Sequence, residues 1–174
     1  MKVSKKYLVW TIIVSVLALA INVFIIAHSC LNASQSSAAS GGVTDFLTKI
    51  INGIRPGTIN DANYGQFASF VRKAIGHFCL FMVSGLLSTL AFYLVLNMSK
   101  WAKYYLQIIM ALTFGLTIAI LTEVIQLNID GRSGEFADVL IDYSGYVLGF
   151  SITFLILFLV LKSKNKKSAK PDNQ

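Results

Sequence analysis

Charge is what this sequence carries least of. Only 13% of its 174 residues are Asp, Glu, Lys or Arg, against about a quarter in an ordinary soluble domain. Turn formers do not make up the shortage, since proline occurs only twice. A disordered chain needs low hydrophobicity and high charge density, so that class is excluded, and an ordinary water-facing surface cannot be built either. Two cysteines define no disulfide framework. Cys79 lies inside an apolar run and reads as a small packing residue. The Ala27-His28-Ser29 stretch before Cys30 fits a lipidation signal poorly, so lipidation is rejected.

What the sequence does have is apolar length. Four runs of 21 to 24 residues, 7–27, 74–96, 104–127 and 138–161, each reach the roughly 20 residues that cross a bilayer's hydrocarbon core. They predict an all-α integral membrane bundle of four transmembrane helices. One membrane domain over 1–161 is followed by a basic cytoplasmic tail at 162–174, and no second domain fits the length. The first run exceeds the 7–15 apolar residues of a signal peptide and is read as a retained helix. No internal repeat is visible.

The net charge of +7 would suggest nucleic acid on a soluble domain; here it flanks membrane spans, so no nucleic-acid partner is expected. With both termini inside, the inner segments hold ten of the fifteen basic residues: Lys2, Lys5, Lys6, Lys100, Lys103, Lys162, Lys164, Lys166, Lys167 and Lys170. The outer segments hold Lys49, Arg55, Arg72, Lys73 and Arg132, spread more thinly. The positive-inside rule therefore predicts an N-in/C-in topology. Trp10, Trp101, Tyr104 and Tyr105 near the inner ends suit an aromatic belt. One long extracytoplasmic loop, 28–71, follows the first span. Its start, 32–42, reads as a small-residue linker, 44–51 as a short interfacial helix, and Arg55-Pro56-Gly57 as its end.

Ionisable residues at membrane spans are costly and each is a functional candidate. They gather at one end. Arg72, Lys73 and His77 open the second span, Glu123 and Gln126 close the third, Arg132 lies in the short loop that follows, and Asp138 and Asp142 open the fourth. Charges that served insertion alone would mark both ends alike. Helical spacing places Lys73 and His77 on one face, and Asp138, Asp142, Gly145 and Gly149 along one stripe. The two glycines form a small-residue face that lets helices approach closely. His77 is expected to meet Glu123 or Asp142 across the bundle, with Arg72 and Arg132 balancing the other carboxylates nearer the surface. Lys73 reads as a headgroup anchor.

Several chemistries fit that set. Arg72, His77, Glu123, Gln126, Arg132 and Asp138 are the candidate ligand-binding residues, the arginines for anionic groups and the acids for ammonium or hydroxyl groups. In a membrane-embedded enzyme, His77 would be the general base, with Glu123 and Asp142 as its carboxylate partners. A salt-bridge cluster that merely ties the helices together is the bland alternative. His-Glu-x-x-His and Gly-x-Ser-x-Gly are absent, so neither a metal nor any other cofactor is expected. Paired interrupted helices are also absent, which argues against a transporter.

Arg72-Lys73-Ala74-Ile75-Gly76-His77, Thr122-Glu123-Val124-Ile125-Gln126, Gly131-Arg132 and Asp138 through Gly149, taken in order, resemble the VanZ-like family. The likeness covers most of the chain, from the first span to Gly149; Asp142 departs from it, standing where the family carries asparagine. The resemblance implies a multi-pass protein of a bacterial cytoplasmic membrane acting in the cell envelope. The family's founding member is associated with resistance to the lipoglycopeptide antibiotic teicoplanin. The implied partners are membrane lipids and a glycopeptide or lipid-linked wall component bound at an outer-leaflet polar site; no oligomeric state is implied.

The topology is checked by cysteine labelling in intact cells, on a chain freed of Cys30 and Cys79. Ser40→Cys and Ser133→Cys should react with an impermeant thiol reagent while Ser168→Cys stays protected. The reverse pattern would put the polar cluster on the cytoplasmic side.

Overall fold

A computed structural model describes residues 4–98, 104–132 and 134–168, apart from the side chains of 104 and 164–168. Lys2, Lys100, Trp101, Lys103, Ser133 and Lys170 lie outside the described residues. All regular structure within them is helical. Helix α1 (Lys5–Ser29) starts where the Ser4 side chain accepts the Tyr7 amide, satisfying one of the orphan donors of a helix start. After α2 (Ala33–Ile54) comes α3 (Tyr64–Val71), which runs without a break through a π-helical stretch (Arg72–Cys79) into α4 (Leu80–Leu96). Helices α5 (Tyr104–Gln126) and α6 (Phe136–Ser168) complete the chain. Four stretches, Lys5–Ser29, Tyr64–Leu96, Tyr105–Gln126 and Phe136–Ser163, are long and apolar enough to cross a membrane, as the four runs predict. Their outward faces fit that setting. Ile12, Val16, Leu19 and Val23 on α1 and Leu155 and Leu159 on α6 are exposed, a surface that water penalises at about 25 cal/mol per Å² and lipid does not. This is a multi-pass membrane protein.

Two expectations are corrected. The small-residue stretch 32–42 is helix rather than linker. Asn32 and Gln35 form a reciprocal capping box that starts α2, and Ser36 and Thr44 are buried. The Ser40 and Thr44 hydroxyls donate to carbonyls one turn back, so the helix backbone satisfies these two side chains. The long loop is therefore mostly α2, with the interfacial helix expected at 44–51 as its second half. It ends at Ile54 where Arg55-Pro56-Gly57 begins, Gly57 taking a φ of 76°. The second correction is that the helix holding the span expected from 74 starts earlier, at Tyr64. The tail at 162–168 continues α6 as helix.

The core forms where α6 packs on α4 and the π-helical stretch. The pair runs parallel, with Gly145 against the Phe78 backbone, Gly149 against Met82 and Leu86, and Gly85 against Tyr146 and Phe150. A Cβ on any of the three would overlap a carbonyl of the other helix. The buried Tyr146 ring lies over Gly115 of α5, with Phe81, Ile118, Ala119, Val139 and Ile25 around it. Helix α1 is tied in by Asn22, which accepts from Ser84 Oγ at 2.9 Å and donates to Ser88 Oγ at 3.1 Å and its own helix's Ala18 carbonyl at 2.7 Å.

These contacts make the glycines unequal. Gly149→Ala is expected to cost about 1–3 kcal/mol through overpacking. Gly41→Ala, with open space around the added methyl, should gain roughly 0.5–1 kcal/mol from helix propensity. Melting of the two variants in detergent checks this; a neutral Gly149→Ala would mean the α4–α6 contact is looser than described.

Candidate functional site

The π-helical stretch sets the azimuth of the polar residues. On an α-helix, positions 72 and 77 would lie about 140° apart at 3.6 residues per turn. A π turn closes on the fifth residue instead, bringing Arg72 and His77 to the same side with Lys73 beside them. All three line one small cavity at the end of the bundle where α5 finishes and α6 starts.

Two rungs join this stretch to α6. Lys73 Nζ lies 2.6 Å from Asp138 Oδ1 and 3.2 Å from Glu135 Oε2. One turn deeper, His77 Nδ1 lies 3.1 Å from Asp142 Oδ1. Asp142 is wholly buried, behind the helix contact made by Gly145. A protonated Nδ1 donates to that carboxylate, and Nε2 makes no hydrogen bond among the described residues.

Helix α5 adds the third wall. Glu123 is 5% exposed, and its two oxygens accept from Gln126 Nε2 at 2.9 Å and from the Glu135 amide at 3.1 Å. Gln126 Oε1 accepts in turn from Arg132 Nε at 3.1 Å, and Arg132 Nη1 donates to the Leu31 carbonyl at 3.4 Å, at the α1–α2 corner. The loop can fold back this closely because Gly131 takes a φ of 73° and Gly134 lies against the Glu123 carbonyl. Burial first, and then the nearby Arg72 charge, push the Arg132 guanidinium below its ordinary pKa, while Glu123 and Asp138 pull it back.

The structure thus brings His77, Glu123 and Asp142 together, each offering an oxygen or nitrogen within 4.8 Å of the others. That triad could close round a metal ion. As it stands the contacts are protein to protein: His77 on Asp142, and amide donors on both Glu123 oxygens. The surface pairing differs from expectation. Lys73, read as an anchor, takes Asp138 together with Glu135, while Arg132 takes a neutral amide and a carbonyl. Arg72 makes no hydrogen bond or ion pair among the described residues. Sequence reasoning missed Lys73 and Glu135 as cavity-lining residues, and Asn22 as the tie to α1. The matching four-residue spacings of Lys73/His77 and Asp138/Asp142 were the available signal for Lys73, and a lone asparagine within an apolar run was the signal for Asn22.

Spaces of different character adjoin at this end. The cavity of about 80 Å³ is mostly polar, lined by Arg72, Lys73, His77, Gln126, Arg132 and Asp138 among others. Arg72 also borders a groove of about 260 Å³ whose walls are largely apolar, including Phe24, Val43, Val71, Ile75 and Leu80, with His28 beside them. A third groove of about 430 Å³ runs between α5 and α6 below Glu123, walled by Leu116, Ile120, Val139 and Leu140.

A model of the VanZ/LLP1 family matches residues 12–159, a stretch that includes every residue of this site. No curated protein and no solved structure matches the chain.

The His77–Asp142 contact gives a direct test. Asp142→Ala leaves a buried ring nitrogen without its acceptor and should cost about 1–3 kcal/mol. Asp142→Asn keeps an acceptor oxygen and should melt close to the parent protein. Equal loss in both variants would mean that the charge, rather than the hydrogen bond, holds the helices in register.

Proposed function

The chain belongs to the VanZ/LLP1 family, and on that footing we propose that it acts in the bacterial cell envelope by binding an amphiphilic molecule. The ligand is a lipoglycopeptide such as teicoplanin or a lipid-linked wall component. In this reading 1–161 form one domain in the cytoplasmic membrane, both termini and the basic tail are inside, and the polar end faces the outer leaflet. The observation that carries it is the shared wall at Arg72. A polar cavity with charged lining opens beside an apolar groove at the same end of the bundle, and that juxtaposition suits a ligand with a polar head and an apolar chain. Arg72 and Arg132 then meet anionic groups, and Glu123 and Asp138 orient the site.

A second reading has its own support. A buried carboxylate on one nitrogen of His77, with the other nitrogen making no hydrogen bond among the described residues and beside a polar cavity, is the arrangement of a general base with an orienting partner. In it His77 takes a proton from the substrate, Asp142 positions the ring, and Glu123 is the second carboxylate.

The experiment is expression in a teicoplanin-susceptible strain, scoring survival and cell-bound labelled antibiotic, with lipid and wall-precursor profiles from the same cells. Glu123→Gln should lose the effect when compared at equal membrane level, which is measured because its NH2 replaces an oxygen that accepts a hydrogen bond. An abundant, fully active Glu123→Gln removes the carboxylate from the mechanism. A protein-dependent change in lipid or precursor composition favours the enzyme; protection without one favours the binder.

A further inference from the structure

The charges lining the small cavity are paired unevenly. Two carboxylates line it, Asp138 and Glu135, and Lys73 lies within 3.2 Å of both. Among the described residues neither guanidinium is bound to a carboxylate. Arg132 donates to neutral acceptors, the Gln126 side chain and the Leu31 carbonyl, with the Glu123 and Asp138 charges near enough to favour its own. Arg72, half-buried, makes no hydrogen bond or ion pair among the described residues. Both arginines face the same space, near enough that the charge of one disfavours the charge of the other. A guanidinium withdrawn from water without an acceptor, as Arg72 is, is costly, and with Arg132 lining the same cavity there is a place for an anion.

We propose that Arg72 and Arg132 bind a phosphate group in this cavity, and that, if the amphiphile reading above holds, the phosphate is the head of a lipid whose chain lies in the groove beyond Arg72. Lining and geometry select phosphate. The cavity, of about 80 Å³, is mostly polar and presents two guanidiniums, which suits a compact tetrahedral head. The planar fork of arginine matches two phosphate oxygens at once, and a tetrahedral dianion offers oxygens to both arginines together, leaving one for His77 Nε2. The groove beyond Arg72, with Phe24, Val71, Ile75 and Leu80 in its walls, starts where an ester oxygen would leave the cavity.

The test is binding to the purified full-length protein in a neutral detergent. The probes are dioleoyl phosphatidate, dioleoylglycerol, oleate and inorganic phosphate. Phosphatidate should bind and be displaced by excess inorganic phosphate, while dioleoylglycerol and oleate bind far more weakly. Arg72→Gln should weaken phosphatidate by at least about tenfold, the loss of a charge-assisted contact. Its melting temperature should be unchanged, because Arg72 holds no partner among the described residues. If Arg72→Gln fails to accumulate, Arg72→Lys carries the test: it keeps the charge but loses the fork, so its affinity should drop severalfold, and an unchanged affinity overturns the proposal. Inorganic phosphate bound as tightly as phosphatidate supports the phosphate site and removes the amphiphile. Dioleoylglycerol or oleate bound as tightly as phosphatidate, with no response to Arg72→Gln, overturns the phosphate site and leaves an amphiphile site standing.

Discussion

The contact on which the site depends is backbone against backbone, where Gly145 and Gly149 of α6 let the Phe78 and Met82 carbonyls come closer than any side chain allows. Lipid tails are as apolar as leucine, so helices in a bilayer gain little from hiding apolar surface from one another, and close packing has to hold them together. Here that packing also sets a register. With Phe78 on Gly145 and Met82 on Gly149, His77 just before Phe78 is brought opposite Asp142, which lies about one turn before Gly145, and Lys73 opposite Asp138 one turn further back on both helices. The polar pairs are thus placed by a feature that contains no charge. Removing the glycines would separate the rungs without altering any of the residues that form them.

A charged group within a bilayer costs about 2.5–3.5 kcal/mol even on lenient insertion scales, and the chain meets that cost by pairing in tiers. Lys73 shares two carboxylates in the outermost tier, where Glu135 is half exposed. His77 and Asp142 pair one turn deeper, where Asp142 is sealed from solvent. Glu123 is held by amide donors from its own helix end and from the loop that folds back over it. Among the described residues of this site, Glu123 and the two arginines are thus the charges not in ion-pair contact with an opposite one.

The interior of the four spans was legible in the sequence because hydropathy depends on composition alone. The ends were not. Tyr64–Val71 mixes polar and apolar residues and carries no strong period, yet it is helix because it continues into the span. Residues 33–42 look like linker by composition, and become helix from a capping box at Asn32 and Gln35, with the Ser40 hydroxyl bonded back to the carbonyl one turn earlier. The candidate site was partly legible. That His77, Glu123 and Asp142 lie at similar depth follows from counting residues along each span. Which cation answers which acid does not follow, because the π turn rotates Arg72 and Lys73 relative to any α-helical count, and no residue between Arg72 and Cys79 announces it.

That extra width also makes chain length a structural variable. A π turn closes on the fifth residue rather than the fourth, so the stretch from Arg72 to Cys79 stores a surplus position within an otherwise continuous helix. Delete one residue between Arg72 and His77 and the helix can anneal to ordinary pitch, leaving Arg72 four positions before the histidine instead of five and about 40° from it around the axis. Both side chains would still face α6. A deletion in the regular helix on either side has no surplus to absorb it and turns everything before it by about 100° relative to everything after it, so the effect of a single-codon deletion in the second span depends on where it falls.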